Sequence, residues 1–256
     1  MNRLQQLFQK QQKDLLSIYY TAGYPNLGDT LKIAETLEQN GANFLEIGFP
    51  YSDPVADGPV IQASSKQALD GGMTLHLLFE QLKDLRQKVT IPILLMGYVN
   101  VVLQYGVEEF CKKCREVGVD GCIIPDLPMY EYEELYQPVF EKYELSNIFL
   151  VTPQTSEERI RKIDALSNAF IYLVSSSATT GSNLALSTQS SDYFKRIADM
   201  ELKNPFMIGF GISDKATYDS ANKYASGAII GSAFVKNLKQ DDLEGSIKEF
   251  MVQFSV

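Results

Sequence analysis

The sequence predicts a single (β/α)8 barrel, and two observations lead to that fold class. Short apolar runs rich in β-branched residues alternate with amphipathic helical runs along the chain, the pattern of strand–helix units around a parallel sheet. Eight such units fit within 256 residues, whereas an open doubly wound sheet of that length usually has fewer strands. No linker or low-complexity segment divides the chain, so we expect one TIM-barrel domain over residues 1–256, large enough for a full core.

The individual elements follow from the spacing of the apolar residues. An extra N-terminal helix is expected where Leu4, Leu7 and Phe8 recur at helical spacing. The predicted strands are residues 16–21, 43–48, 91–97, 121–126, 148–152, 170–175, 206–211 and 227–231. The predicted helices are residues 29–40, 75–87, 107–117, 131–143, 157–166, 191–200, 215–224 and 241–254. The intervals between strand starts are longest after strands 2 and 6. They predict two long loops, residues 49–59 and 176–188, at the carboxyl end of the barrel, where active sites lie.

Composition and charge exclude several kinds of protein. With 23 basic and 32 acidic residues the formal net charge is −9, and so acidic a surface repels the phosphate backbone of nucleic acids. The only histidine, His76, begins an apolar helical run and is interpreted as structural. Cys111 and Cys114 form a C-x-x-C pair but are interpreted as buried, reduced thiols. The chain has no signal-peptide stretch and no window of about 18 apolar residues. We therefore expect a cytoplasmic protein that binds neither a membrane nor a metal.

The second predicted strand carries the first candidate catalytic residue. Alternation places Phe44, Glu46 and Gly48 on the inner face and Leu45 and Ile47 under the helices. A carboxylate inside the barrel is costly to desolvate unless it is paired or functional. The alternative is a structural ion pair, but the other predicted strands offer no inward lysine or arginine. We therefore favour Glu46 as a proton-transfer group with a raised pKa.

The loop that follows holds two further carboxylates, Asp53 and Asp57, among proline and glycine residues. Both could simply stabilise turns by accepting backbone N–H groups. The functional interpretation is that one of them reaches over the barrel mouth and faces Glu46. Two carboxylates in different environments can then divide the proton transfers between them.

Glycines at the ends of the last two predicted strands suggest an anion site. The strands end in Gly209-Phe210-Gly211 and in Gly231-Ser232. Barrels often bind phosphate at these two positions through backbone N–H groups, and glycine permits the close approach. Tight strand–helix turns are the alternative. A phosphate site of this kind would let an acidic protein hold an anion with neutral donors.

Two further features are less specific. The loop at residues 176–188 is small, polar and glycine-containing, which suits either a lid over the site or a flexible surface loop. Asp126 ends the fourth predicted strand, where it could be catalytic, clamp a loop or cap a helix.

Together these motifs resemble the tryptophan synthase alpha subunit family. The most specific stretch is residues 44–59, Phe-Leu-Glu-Ile-Gly-Phe-Pro-Tyr-Ser-Asp-Pro-Val-Ala-Asp-Gly-Pro. The similarity continues in order through Thr-Ala-Gly-Tyr-Pro at 21–25, Pro-Asp-Leu-Pro at 125–128, Thr-Gly at 180–181, Gly-Phe-Gly-Ile-Ser at 209–213 and Gly-Ser-Ala at 231–233. It covers essentially the whole chain, although the glycine turns alone are shared by many phosphate-binding barrels.

The resemblance implies a carbon–carbon lyase that cleaves indole-3-glycerol phosphate to indole and glyceraldehyde 3-phosphate, with Glu46 and Asp57 as catalytic residues. The substrate contacts that it implies are Tyr19, Tyr98, Tyr172, Thr180, Gly181, Phe210, Gly211, Gly231 and Ser232. It also implies a beta subunit that carries pyridoxal phosphate, an α2β2 heterotetramer, a tunnel for indole, and no cofactor in this chain. The chain departs from the family pattern at Tyr19, where relatives have Phe, and at residues 178–181, where a lid often reads Gly-Val-Thr-Gly.

The residues allow a mechanism for this reaction. Glu46 would transfer protons at indole C3 and at the adjacent hydroxyl, while an ionised Asp57 would accept the indole N–H and stabilise the cation that C3 protonation creates. The open alternatives are a stand-alone lyase that releases indole, another phosphosugar enzyme such as an isomerase with Glu46 as its base, and an inactive subunit that only activates a partner. The presence of both carboxylates argues against the last.

Overall fold

The computed structural model describes residues 1–174, 188–209 and 211–254, and for residues 188–191 it describes the backbone alone. Within these residues, nine parallel strands form one sheet. They are β1 (Leu15–Thr21), β2 (Phe44–Gly48), β3 (Ile93–Met96), β4 (Gly121–Ile123), β5 (Ser146–Ile148), β6 (Leu150–Val151), β7 (Ile171–Val174), β8 (Phe206–Gly209) and β9 (Gly227–Ile230).

The sheet closes into a barrel within the fifth predicted strand. Its order is β5-β4-β3-β2-β1-β9-β8-β7-β6, so the two edge strands are neighbours in the chain with Phe149 alone between them. Because β5 pairs with β4 and β6 pairs with β7, the chain changes its pairing partner at Phe149. The predicted barrel is confirmed. The prediction of one unbroken strand over residues 148–152 is wrong because of this change of partner.

Side chains alternate between the barrel interior and the layer beneath the helices. In β2, Phe44 belongs to the interior apolar cluster, whereas Leu45 and Ile47 belong to the cluster under the helices. The predicted alternation is therefore confirmed for this strand. It turns Glu46 into the barrel, and the side chain is completely buried there.

The predicted N-terminal helix is confirmed as α1 (Arg3–Lys10), which closes the amino end of the barrel. Asn2 caps it in a capping box. Leu4 and Phe8 on its apolar face enter the interior cluster, and the Phe8 ring lies 5.2 Å from the Phe170 ring. Apolar side chains therefore fill this end of the barrel.

The other helices surround the barrel. They are α2 (Thr30–Gln39), α3 (Pro59–Asp70), α4 (Leu75–Gln81), α5 (Leu85–Lys88), α6 (Val99–Tyr105), α7 (Val107–Val117), α8 (Met129–Glu131), α9 (Gln137–Lys142), α10 (Glu157–Leu166), α11 (Thr188–Ala198), α12 (Lys215–Asn222), α13 (Ser232–Asn237) and α14 (Leu243–Val252). A π-helical turn, Tyr132–Tyr136, joins α8 to α9. Of the helices described, none has the length and apolar character needed to cross a lipid bilayer.

Some helix bounds were predicted and others were not. The predictions over residues 107–117 and 157–166 match α7 and α10, whereas residues 75–87 form two helices, α4 and α5. Helix α3 was not predicted because its buried face includes Ser64 and Ser65, which weaken the apolar periodicity. It occupies part of the long interval after β2, so the first predicted loop ends at residue 58, with Pro59 as the first residue of α3. The second predicted loop, residues 176–188, lies almost entirely outside the described residues.

Candidate active site

A cavity of about 440 Å³ opens at the carboxyl end of the barrel. Seven of the predicted site residues line it, namely Tyr19, Glu46, Asp57, Tyr172, Gly211, Gly231 and Ser232. Tyr98 lies beside it and lines a smaller adjoining cavity together with Asp57. The other three predicted residues, Thr180, Gly181 and Phe210, lie outside the described residues.

Glu46 is a buried acid with one hydrogen bond to the described residues. The Ser17 hydroxyl donates to its Oε1 over 3.3 Å, while Oε2 has no hydrogen-bond partner among the described residues. Burial raises the pKa of Glu46 to about 8, and the bond from Ser17 opposes that rise. The side chain therefore carries its proton at neutral pH and can donate it.

Asp57 reaches the same cavity from the loop between β2 and α3. The Tyr98 phenol donates to Asp57 Oδ2 over 3.2 Å, and the Ala56 N–H donates to the Tyr98 oxygen over 3.1 Å. Burial raises the pKa of Asp57 to about 6, and the bond from Tyr98 opposes that rise. Asp57 is therefore mostly ionised at neutral pH, when Glu46 is mostly protonated.

The structure also separates the two aspartates of this loop. Asp53 is exposed, and its carboxylate accepts a hydrogen bond from the neighbouring Ser52 hydroxyl over 2.6 Å. Asp57 lines the cavity. The turn interpretation therefore fits Asp53, and the interpretation of a carboxylate that reaches the barrel mouth fits Asp57.

Two tyrosines lie over glycines of adjacent strands. A Cβ at Gly48 would be 2.1 Å from the Tyr19 hydroxyl oxygen, and one at Gly209 would be 2.1 Å from that of Tyr172. Burial and the charge of Asp57 raise the pKa of Tyr19 well above its usual value, so its hydroxyl stays protonated. Gly209 therefore leaves space for the Tyr172 ring, which forms an aromatic wall of the cavity. The sequence predicts this glycine only as part of a turn that binds an anion.

The wall formed after β8 and β9 carries the predicted anion-binding residues. Gly211 has a φ of +74°, a backbone conformation that favours glycine. Ser232 begins α13, and Lys236 follows one turn later on the same face. Lys236 is the only cationic side chain among the described residues that line the cavity. Sequence reasoning missed it because α13 was not predicted.

The remaining candidate residues lie away from the cavity. Asp126 accepts the Val99 N–H over 2.8 Å at the start of α6, which fits both a helix cap and a clamp between the segments that follow β3 and β4. The His76 ring lies 4.5 Å from the Tyr105 ring on the surface of α4. Cys111 and Cys114 are buried free thiols. In the part of the chain that is described, no cluster of three His, Cys, Asp or Glu residues could hold a metal ion.

Comparison with known families assigns the chain. A sequence model of the tryptophan synthase alpha chain family matches residues 4–255. The chain belongs to this family. The resemblance found in the sequence is thereby confirmed.

Relatives in the tryptophan synthase alpha chain family match over nearly their whole length. The alpha chain of Flavobacterium psychrophilum is 58% identical over 251 residues, which is 98% of each chain. That of Phocaeicola vulgatus is 55% identical over 242 residues, 94% of each chain.

Solved structures of tryptophan synthase alpha subunits and complexes have the same fold as this chain. The alpha subunit of Legionella pneumophila is 33% identical with a TM-score of 0.88, covering 100% of this chain and 96% of the other. A chain of the Pyrococcus furiosus tryptophan synthase complex is 32% identical with a TM-score of 0.86, covering 94% and 98%.

Proposed function

We propose that this chain cleaves indole-3-glycerol phosphate to indole and glyceraldehyde 3-phosphate as the alpha subunit of tryptophan synthase. The observation that carries the proposal is the pair of carboxyl groups in one cavity, with the pKa of Asp57 near 6 and that of Glu46 near 8. Groups whose pKa values lie on either side of neutrality suit the roles of ionised stabiliser and proton donor. Membership of the alpha chain family supports the same reaction.

The cleavage is a redox-neutral proton relay. Protonated Glu46 donates its proton to indole C3, which leaves a positive charge shared with the ring nitrogen. The bond between C3 and the side-chain carbon then breaks, and its electron pair returns to the ring. The hydroxyl on the departing carbon loses its proton to Glu46 and becomes the aldehyde carbonyl. One carboxyl group therefore gives a proton and regains one, and the indole ring itself accepts the electrons.

Asp57 stabilises the charge that forms during this relay. Its ionised carboxylate would accept the indole N–H as the ring becomes cationic, an electrostatic contribution that acts in the transition state. Tyr98 holds Asp57 Oδ2. We therefore assign Tyr98 to the orientation of Asp57 beside its expected contact with the substrate, and Tyr19 and Tyr172 to the walls around the ring.

The segments that follow β8 and β9 would hold the phosphate. Gly211, Gly231, Ser232 and Lys236 line the cavity there, where backbone N–H groups of the glycines, the Ser232 hydroxyl and the Lys236 charge would bind it. Neutral donors with one cation suit an anion in a protein of net charge −9. Gly181, Thr180 and Phe210 remain proposed substrate contacts on the strength of the motif alone.

A partner surface adjoins the cavity mouth. Strands β2, β3 and β4 are neighbours in the sheet, so the segments after them meet at the carboxyl end of the barrel. Val55, Leu103 and Tyr130 lie on these segments, and Val55 is 80% and Tyr130 61% exposed. Exposed apolar side chains on one face are typical of a protein interface. We assign this face to the beta subunit of an α2β2 complex and place pyridoxal phosphate in that subunit. We place the reaction in the cytoplasm, where the three free thiols stay reduced.

Indole release from indole-3-glycerol phosphate, with and without the beta subunit, tests the proposal. We expect release by the wild type, faster in the complex, and a loss of about 10²–10³-fold in Asp57→Asn, since a neutral amide stabilises the indole cation poorly. Asp53→Asn is the matched control and should stay close to wild type. No indole from the wild-type complex, or equal losses at both aspartates, would contradict the proposal. Full activity without the beta subunit would select the stand-alone lyase.

A further inference from the structure

Ser17 places a hydroxyl in the apolar interior of the barrel. It is completely buried, and the residues in register with it on the flanking strands are Phe44 of β2 and Ile229 of β9. Both belong to the interior apolar cluster. A hydroxyl among hydrocarbon side chains is destabilising unless it is hydrogen-bonded. Its bond goes to Glu46 Oε1, over 3.3 Å.

This bond makes the two oxygens of Glu46 unequal. Oε1 accepts from Ser17, while Oε2 has no partner among the described residues although the side chain lines the cavity. A neutral carboxyl group has one carbonyl oxygen, which accepts, and one hydroxyl, which donates. Donation from Ser17 therefore favours Oε1 as the carbonyl oxygen and leaves the proton on Oε2.

We propose that Ser17 is a positioning residue for Glu46, which by holding Oε1 makes Oε2 the oxygen that exchanges protons with the substrate. The proposal rests on the function proposed above. The mechanism needs Glu46 to give a proton at one atom and regain one at another, so a fixed carboxyl plane with a single working oxygen serves both transfers. Without the bond the carboxyl group can rotate, and either oxygen can carry the proton.

The bond also has a consequence for pH dependence. A hydroxyl donates more strongly to a carboxylate than to a neutral acid, so Ser17 lowers the pKa of Glu46, against the effect of burial. The other titratable groups that line the cavity with Glu46, among the described residues, are Tyr19 of β1, Tyr172 of β7, Asp57 and Lys236 of α13. Burial raises the pKa of both tyrosines, and Asp57 titrates on the acid side. The neighbouring strand β3 presents the apolar Leu94 in register with Glu46.

The test compares Ser17→Ala and Ser17→Thr with the control Ser167→Ala. Ser167 is also a buried serine, and its hydroxyl donates to the Ile163 carbonyl at the end of α10. Two quantities are measured: the pH dependence of kcat for indole release, and the titration of the Glu46 carboxyl band by infrared spectroscopy. The band is assigned by its loss in Glu46→Gln. The infrared titration needs no turnover, and Ser17→Cys replaces Ser17→Thr if the added methyl group prevents folding.

In Ser17→Ala we expect the alkaline limb of kcat and the infrared midpoint to move up by on the order of one pH unit, as a hydrogen bond to a charged group implies. The free energy that corresponds to one pH unit is also a factor of ten in rate, so kcat should fall about tenfold, with KM unchanged. Ser17→Thr should restore both quantities, and Ser167→Ala should change neither.

An unchanged infrared midpoint in Ser17→Ala, or a Ser17→Thr that matches Ser17→Ala, overturns the proposal. If the wild type releases no indole, the proposed function fails, and the infrared comparison alone then decides whether Ser17 holds Glu46.

Discussion

The two ends of the barrel each bury a carboxyl group, and the two groups differ in how many hydrogen-bond partners they have. At the amino end, Asp120 is 1% exposed and accepts bonds from the Arg3 and Arg86 side chains and from the Arg3 and Ile93 backbone N–H groups. At the carboxyl end, Glu46 accepts one bond among the described residues, from Ser17. The paired carboxylate stabilises the fold, whereas Glu46, left nearly unpaired, takes up a proton that it can use.

The amino end is also where distant parts of the chain are joined. The Asn2 side-chain nitrogen lies within hydrogen-bond distance, 2.8–3.1 Å, of the Asp120 and Glu144 carbonyl oxygens and of the Ser146 hydroxyl. These bonds fix α1 across β4 and β5. We infer that stability is concentrated at this end, which leaves the other end free to hold an unsatisfied acid.

The largest effect is expected from Glu46→Gln, which removes the acid at the carboxyl end. It should lower indole release by about 10²–10⁴-fold, since a general acid–base group is lost, with the fold retained by circular dichroism. More than about a tenth of wild-type turnover would show that Glu46 is not the proton donor.

The same substitution should change how stability depends on pH. The folded wild type keeps the Glu46 proton up to a pH of about 8, whereas the unfolded chain releases it near 4.3. The contribution of Glu46 to wild-type stability therefore decreases as the pH rises between these values. The unfolding midpoint in urea should shift in favour of Glu46→Gln over that interval, and a constant difference would show that Glu46 is not destabilised by burial.

Asp120→Ala should have the reverse effects. Removing one member of a buried, hydrogen-bonded charge cluster costs about 3–5 kcal/mol, because Arg86, 18% exposed, loses its ion-pair partner. The free energy of unfolding should fall by that amount, while kcat of the folded fraction stays unchanged. Asp70→Ala, which breaks the exposed pair with Lys66, is the control and should leave the unfolding transition in place. A loss of kcat without loss of stability would contradict the division between the two ends.

The smallest effect is expected at Lys236. An exposed charge contributes up to about 1 kcal/mol, so Lys236→Ala should raise KM for the phosphorylated substrate by up to about fivefold and weaken its salt dependence. Lys223→Ala, at the end of α12 away from the cavity, is the control. Equal effects of both substitutions would indicate only a change in net charge.

The sequence predicted those features that depend on short-range periodicity. Glu46 could be placed inside the barrel because side chains of a strand alternate with a period of two, and the side chain is indeed buried. The bond from Ser17 could not be predicted, since it depends on the register of β1 against β2. The bond from Tyr98 to Asp57 likewise joins residues 41 positions apart. The position of Lys236 in the cavity could not be predicted because its helix, α13, is too short to show an apolar repeat.

The pH dependence of indole release from indole-3-glycerol phosphate tests most directly the claim that two carboxyl groups of unlike pKa share this site. The rate should rise through a pH of about 6 as Asp57 ionises and fall through about 8 as Glu46 loses its proton, which gives a bell-shaped profile. Asp57→Asn should remove the acid limb and leave the alkaline one. A rate independent of pH across this interval, or an acid limb that persists in Asp57→Asn, would contradict the account.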